Sequence, residues 1–424
     1  MSATRREFLK SSLAGGSLVS LGLTVPGFIS RTALAAPLAD QKGAKDTILV
    51  VVQLTGGNDG LNTVVPFGDA EYAKLRPTLK LPTNQLKKVN DQIGLHPSLD
   101  GLSKLLEDQA LCIVQGVGYP NPNQSHFRSM DIWQAGNTAE TLSEGWLGRA
   151  LKQLPTPPAF HIAGANEPSP LALAGAPVRV PSIASLDDFQ LRTASGSGTL
   201  EKQEQRALME GAARQPRSLS PGGRGQGEGA GLLDFVQRTA VNTYASSQRL
   251  QEIGKNYQPK TPYPNVPLAN HLKLAAQLID ADLGARIFYV SIDGFDTHAN
   301  QLDQHANLLR QLSDSMTAFY KDMAARGHKD RILMMTFSEF GRRPYENGSK
   351  GTDHGAAAPM FLVGAKVKAG PVGKHPSLTD HSMGNLKHTL DFRQVYAAVL
   401  DKWLGVSSKE VLGQEFKHAE IWKA

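Results

Sequence analysis

Asp353 and His354 stand side by side in "SKGTDHGAAAP", between Gly351 and Gly355. Asp296 and His298 lie close together in "DGFDTHANQ", and Asp59 in "GGNDGLN". Three carboxylates and two imidazoles are the donors of a divalent cation bound through oxygen and nitrogen. Zinc and manganese accept such a set; a set dominated by carboxylates leans to magnesium or calcium, and the residue types do not choose among the four. Cys112 is the only cysteine, so iron–sulfur and all-cysteine zinc sites are excluded, as is an internal disulfide. The glycines around Asp353–His354 are expected to let the backbone turn sharply, so that both side chains face one cation. Each residue also has a plainer role. Asp59 suits a turn, Asp296 or Thr297 a helix N-cap, and Glu339 with Arg342 a structural ion pair.

Loops far apart in sequence meet only if something brings them together. Five short apolar runs are placed to do so: residues 47–54, 110–117, 285–293, 330–340 and 359–365. They are rich in β-branched residues and scarcely alternate, as strands buried on both faces do. Polar residues follow them. Asn58, Asp59 and Asn62 come after the first, Ser125, His126, Arg128 and Asp131 after the second, and Asp293, Asp296 and His298 after the third. Glu339, Arg342 and Arg343 close the fourth, with "GTDHG" beyond. Helical patterns separate the runs: Leu99, Leu102, Leu105 and Leu106; Leu302, Leu309, Leu312, Met316, Phe319 and Met323; and a last helix in "DFRQVYAAVLDKWLG", stopped by Gly405. This alternation predicts an α/β fold with its site at the carboxyl ends of the strands. Cys112, inside "ALCIVQGV", is expected to be a buried strand residue.

The 424 residues have room for one large core or two domains. The start reads as an export signal. Arg5, Arg6, Phe8, Leu9 and Lys10 precede a mildly apolar stretch, and Ala33-Leu34-Ala35 offers a cut after Ala35. The arginine pair followed by Phe and Leu fits the twin-arginine (Tat) pattern, so residues 1–35 are expected to meet the Tat translocase and the rest to be periplasmic or secreted. Glycines, serines and Pro26 interrupt the apolar stretch, which argues against a stable membrane anchor. The net charge of +6, half of it in that signal, is too small and scattered for nucleic-acid binding. "TGGNDG" lacks the Lys-Ser/Thr of a nucleotide loop. Residues 214–231, rich in Gly, Ser, Pro and Arg, read as a disordered surface insertion.

"LTGGNDGLNTVVP", "GVGYPNPNQSHFRSMDIWQ", "GWLGR", "DGFDTHANQ", "TFSEFGRR" and "GTDHG" occur in this order. With the signal, they resemble the bacterial family called domain of unknown function 1501, over about residues 46–424 as a single domain. More remotely the pattern is similar to the alkaline phosphatase and sulfatase superfamily. That resemblance implies a three-layer fold, a mostly parallel central sheet with helices on both faces. It also implies a hydrolase of phosphate or sulfate esters that uses a divalent metal ion. Asp59, Asp296, His298, Asp353 and His354 match the metal-ligand positions, and Ser125 stands nearest the nucleophile, or else caps a helix. On this reading His126 protonates the leaving group and Arg128 neutralises the charge of a small anionic ester. The pattern departs from the superfamily in three ways. One residue separates Asp296 from His298, where three are usual between Asp and His. "QSHFRS" is not the sulfatase "CxPSR" motif. Nothing chooses among His375, His381 and His388 for a final histidine, which puts a second metal in doubt. The alternative is a non-catalytic binding or assembly protein on a degenerate form of the fold.

Overall fold

Strands made of residues such as "ILVVVQL" must be covered on both faces, because alternate side chains point to opposite sides and all are apolar. The computed structural model describes residues 47–154, 159–164, 167–178, 180–186, 254, 256–282 and 284–423. The segments 1–35 and 214–231 lie outside them. The chain divides into two units, residues 1–44 with 185–257 and residues 45–184 with 258–424. Every element named below belongs to the second.

Among the described residues its main sheet has nine strands. They are β1 (Ile48–Leu54), β2 (Leu111–Gly118), β3 (Ala159–Ile162), β4 (Ser182–Ile183), β5 (Ile287–Ile292), β6 (Ile332–Ser338), β7 (Ala358–Gly364), β8 (Gly370–Val372) and β9 (Leu390–Asp391). The order is β8-β2-β7-β6-β1-β5-β3-β4, with β9 also paired to β2. β1 lies at the centre, parallel to β5 and β6, with Val50 level with Phe288 and Met334. Only β7 runs antiparallel to its neighbours, β2 and β6. The carboxyl ends of β1, β2, β5 and β6 therefore share one edge, and the chain enters β7 there. That topology gathers five loops.

Helices cover both faces, giving three layers. They are α1 (Asp100–Glu107), α2 (His126–Ala135), α3 (Trp146–Gln153), α4 (Pro267–Asp280), α5 (Gln301–Ala325) and α6 (Phe392–Val399). α1 and α4 flank the long α5, and the three touch β2, β5 and β6. α2, α3 and α6 build an aromatic core on the other side. Trp133 stacks between Phe337 (5.8 Å) and Phe392 (4.3 Å), and Trp146 stacks on Tyr396 (4.2 Å). Such pairs add about 0.5–1.5 kcal/mol each beyond area burial, and through Trp133 and Phe337 they tie the last turn of α2 to β6.

The predicted strands appear within two residues of their expected limits. Cys112 is buried in β2, and burial pushes its thiol up to about 12, which removes it as a nucleophile. α5 differs at its start. Asn300, in a left-handed conformation, is its N-cap, so neither Asp296 nor Thr297 caps it. Leu302 is 40% exposed and lies off the buried stripe, which begins at Gln301 and runs on through His305 and Leu308. The last helix opens with a capping box between Asp391 and Gln394 and continues as a π-helical turn, Leu400–Leu404, which stops at Gly405 as expected. Among the described residues no helix is long and apolar enough to cross a membrane.

Candidate metal centre

The loops leaving β1, β2, β5 and β6 and the loop entering β7 converge on Asp296. Its Oδ1 lies 3.1 Å from His298 Nε2 and 3.2 Å from His354 Nε2, and its Oδ2 lies 3.5 Å from His126 Nε2. The Nε2 atoms of His298 and His354 are 2.9 Å apart. One donor atom each from His126, Asp296 and His354 fits within 4.8 Å.

The opposite side of each imidazole decides what this cluster can do. His354 Nδ1 lies 2.9 Å from the carbonyl oxygen of Gln124. A carbonyl only accepts, so Nδ1 carries the proton and Nε2 presents a lone pair. His126 Nδ1 meets Glu339 Oε1 at 2.9 Å, and His298 Nδ1 meets Asp353 Oδ1 at 3.2 Å. Held this way, the three imidazoles turn their Nε2 edges towards one another and towards a carboxylate. A divalent cation suits that arrangement, and an outer oxygen behind each histidine is how proteins orient metal ligands. The donor set fits a divalent ion: His126, Asp296, His298 and His354 would hold it.

Electrostatics agree. Burial keeps His354 below the ordinary imidazole range, so it stays neutral. Burial raises the Asp296 carboxyl, but the Arg342 guanidinium, 2.6 Å from Oδ1, outweighs it and the carboxyl is lowered overall. The Glu339 hydrogen bond raises His126, so this imidazole binds a proton readily and must release it to bind a metal.

The backbone explains the glycines. Neither Gly351 nor Gly355 has a positive φ, so neither makes the left-handed turn that the flanking glycines suggested. They are needed for close approach. A Cβ on Gly351 would lie 2.2 Å from the His298 backbone, and one on Gly355 2.4 Å from the Arg342 backbone. The loops are laced by Thr352 N to Thr297 O (3.1 Å) and Arg343 N to Asp353 O (3.0 Å).

A family model described as "Protein of unknown function (DUF1501)" matches residues 46–414, most of the chain and every loop of the centre. The chain belongs to the DUF1501 family. No curated protein matches it. Solved structures align over most of its length at low identity. A protein in the alkaline phosphatase superfamily from Vibrio parahaemolyticus is 8% identical, covering 93% of this chain and 79% of that one, with a TM-score of 0.39. PsFucS1 sulfatase from Pseudoalteromonas sp. is 11% identical, covering 93% and 77%, with a TM-score of 0.37. The C-terminal periplasmic domain of EcEptC from Escherichia coli, in complex with Zn, is 12% identical, covering 77% and 74%, with a TM-score of 0.33. Likenesses this distant speak to neither activity nor substrate.

Within this DUF1501 chain, Asp296, His298 and His354 come together, with Asp353 one step behind His298. Asp59 does not join them. It is wholly buried, with Arg76 Nη1 at 2.6 Å from Oδ2 and Nη2 at 3.0 Å from Oδ1, and Gln301 also donates to Oδ2. A fixed guanidinium occupies the face a metal would need. Arg128 turns away and donates to the carbonyls of Ala139 and Glu140. Ser125 is exposed at the N-cap of α2, and its side chain makes no capping bond. None of His375, His381 and His388 belongs to the cluster found among the described residues.

Three residues of the DUF1501 centre had no such role in the sequence reading. Glu339 pairs with His126 rather than with Arg342. Arg342, wholly buried, donates to the carbonyls of Gly56, Gly57, Phe295 and Thr352 and to Asp296. Gln301 Oε1 accepts from Thr297 (3.0 Å) and Thr352 (2.6 Å), neighbours of the ligands on both loops. "SEFGRR" was visible as a polar strand end, but no local signal says which acid an arginine in it will meet.

Proposed function

We propose that this protein is an exported metal-dependent hydrolase of phosphate or sulfate esters. The observation that carries the reading is the convergence of three imidazole Nε2 atoms on the Asp296 carboxylate, each imidazole anchored through Nδ1. A bound dication would polarise a non-bridging oxygen of the ester and lower the pKa of a coordinated hydroxyl or water. The chain's own residues supply the rest. Ser125, exposed and directly before His126, is the candidate nucleophile. His126 is backed by Glu339 and would be drawn into the ligand set, which displaces it from the leaving-group acid role. Arg128 is tied to backbone carbonyls, so the half-buried Arg343, whose Nε donates to the His354 carbonyl, takes over the anionic oxygens. Arg342 has its donors spent on the loops and acts only by positioning.

A panel of aryl phosphate, phosphodiester and aryl sulfate substrates tests this. Turnover of at least one is expected, and Ser125→Ala should lower it by about 100-fold or more. Stability should stay within about 0.5 kcal/mol, because no capping bond is lost. Full activity in Ser125→Ala would remove the serine and leave water as nucleophile. A protein that binds metal yet turns over nothing would be the binding or assembly protein of the second reading. That reading draws on one feature: no base hydrogen-bonds the Ser125 side chain among the described residues.

Export by the Tat translocase belongs to the same proposal and rests on Arg5-Arg6 with Phe8 and Leu9. Replacing both arginines by lysine should keep the protein in the cytoplasm, and unchanged export of that variant would refute the route.

A further inference from the structure

The metal reading leaves the number and kind of ions open, and the charge pattern around the loops bears on both. Resting on that reading, the geometry points to a centre that holds a single dication of the nitrogen-seeking, zinc-like class. No second divalent ion has a place there, because buried arginines already supply the remaining positive charge.

The argument begins with a census of the acids at the sheet edge. Asp59 accepts two bonds from Arg76 and one from Gln301, and all three groups are buried. Arg76 is itself locked by the carbonyls of Pro344 (2.7 Å) and Arg343 (2.9 Å), so it cannot swing away to admit an ion. Glu339 Oε1 accepts from Gly56 N (2.8 Å) and His126 Nδ1. Asp353 Oδ1 accepts from His298 Nδ1 and Asn347 Nδ2 (3.0 Å). Asp293 Oδ1 accepts from the Gly294 amide (2.7 Å). Asp296 is shared with Arg342. Each acid in these loops already answers a fixed donor, and Asp296 alone also faces the three Nε2 atoms.

Two ions bridging a substrate would need a second group of free ligands, and the acids that could supply it are taken. The residue resembling the superfamily's first metal ligand, Asp59, is matched instead to a guanidinium that carries one permanent charge. Arg342 does the same for one oxygen of Asp296. Both arginines are fully buried and bound to backbone carbonyls as well, so they are part of the frame and not mobile counter-ions.

The donor set also selects the ion. Three imidazole nitrogens and one carboxylate suit zinc, iron(II) or manganese, whereas magnesium and calcium demand oxygen shells. Zinc stands at the favoured end for such nitrogen-rich sites.

Calorimetric titration of chelator-treated protein with zinc, manganese, magnesium or calcium chloride tests this, alongside elemental analysis of the protein as purified. The expected result is one zinc per chain, bound at least ~100-fold more tightly than magnesium or calcium. Asp59→Asn, where it folds, should still bind one. Two zinc ions per chain would overturn the inference while leaving the hydrolase reading intact, as would a preference for magnesium or calcium. No bound ion in either experiment would end both. Turnover of the ester panel by metal-free protein would count against the hydrolase mechanism alone.

Discussion

His354→Ala is expected to leave the protein folded and almost free of its ion. The imidazole lies 2.9 Å from His298 Nε2, 3.2 Å from Asp296 and against the His126 ring, so its loss opens the middle of the donor set. Losing only an outer partner of a metal ligand costs about 10–100-fold in affinity, and losing the ligand itself should exceed that. The fold should tolerate the change. His354 is partly exposed, and the backbone bridge between Arg342 and residue 354 does not need its side chain. Elemental analysis and the shift of melting temperature on adding zinc are the measurements. Glu339→Gln gives the graded comparison. Its amide oxygen can still accept from His126, but without the carboxylate's charge, so a loss within the 10–100-fold range is expected. An alanine variant at 354 with wild-type ion content and an unchanged zinc shift would show that the imidazoles are merely packed together.

The largest expected effect on stability lies beneath the centre, in Asp59 and Arg76. Both side chains are wholly inaccessible. Arg76→Met strands a carboxylate among apolar and backbone groups, and Asp59→Asn strands a guanidinium. Breaking a buried pair from one side costs about 3–5 kcal/mol, read as a fall in the urea midpoint at constant slope. Removing both partners at once, as Asp59→Leu with Arg76→Met, should cost less than the two single changes summed, because no lone charge is left. A cost below about 1 kcal/mol for either single variant would mean that the pair is hydrated.

The same pair sets the acid limit. Burial raises the Asp59 carboxyl, but Arg76, with His305 and Gln301 assisting, brings it from 3.8 down to about 2. A carboxyl lowered on folding adds stability above its unfolded pKa and loses it as pH falls through the folded one. The contribution, on the order of 2 kcal/mol, should thus be complete above pH 4 and fade towards pH 2. Arg76→Met should abolish this part of the acid transition.

Much of this could be read along the chain. Burial on two faces demands uninterrupted apolar strands, so β1, β2, β5, β6 and β7 announced themselves, and with them the edge where polar loops would gather. Asp296, His298, Asp353 and His354 were legible as candidates because ligand types stood together in loops next to buried strands. Asp59 had the same local signature, a carboxylate after a buried strand in a glycine-rich loop, yet it faces Arg76 and not the imidazoles. Nothing within a few residues of either aspartate distinguishes them. His126 was recognised as a chemical residue but assigned to proton transfer, since its neighbours do not reveal that Glu339, over two hundred residues later, turns its Nε2 towards Asp296.

The sequence by itself determined the α/β alternation, the buried cysteine and the loops that bear the donors, because periodicity and polarity act over a few residues and survive in any context. Only the tertiary structure decided which acid meets an arginine and which meets three histidines. Charge pairing depends on distance in space, and antiparallel β7, by returning residues 351–355 to the edge beside β6, is what brings those groups within reach.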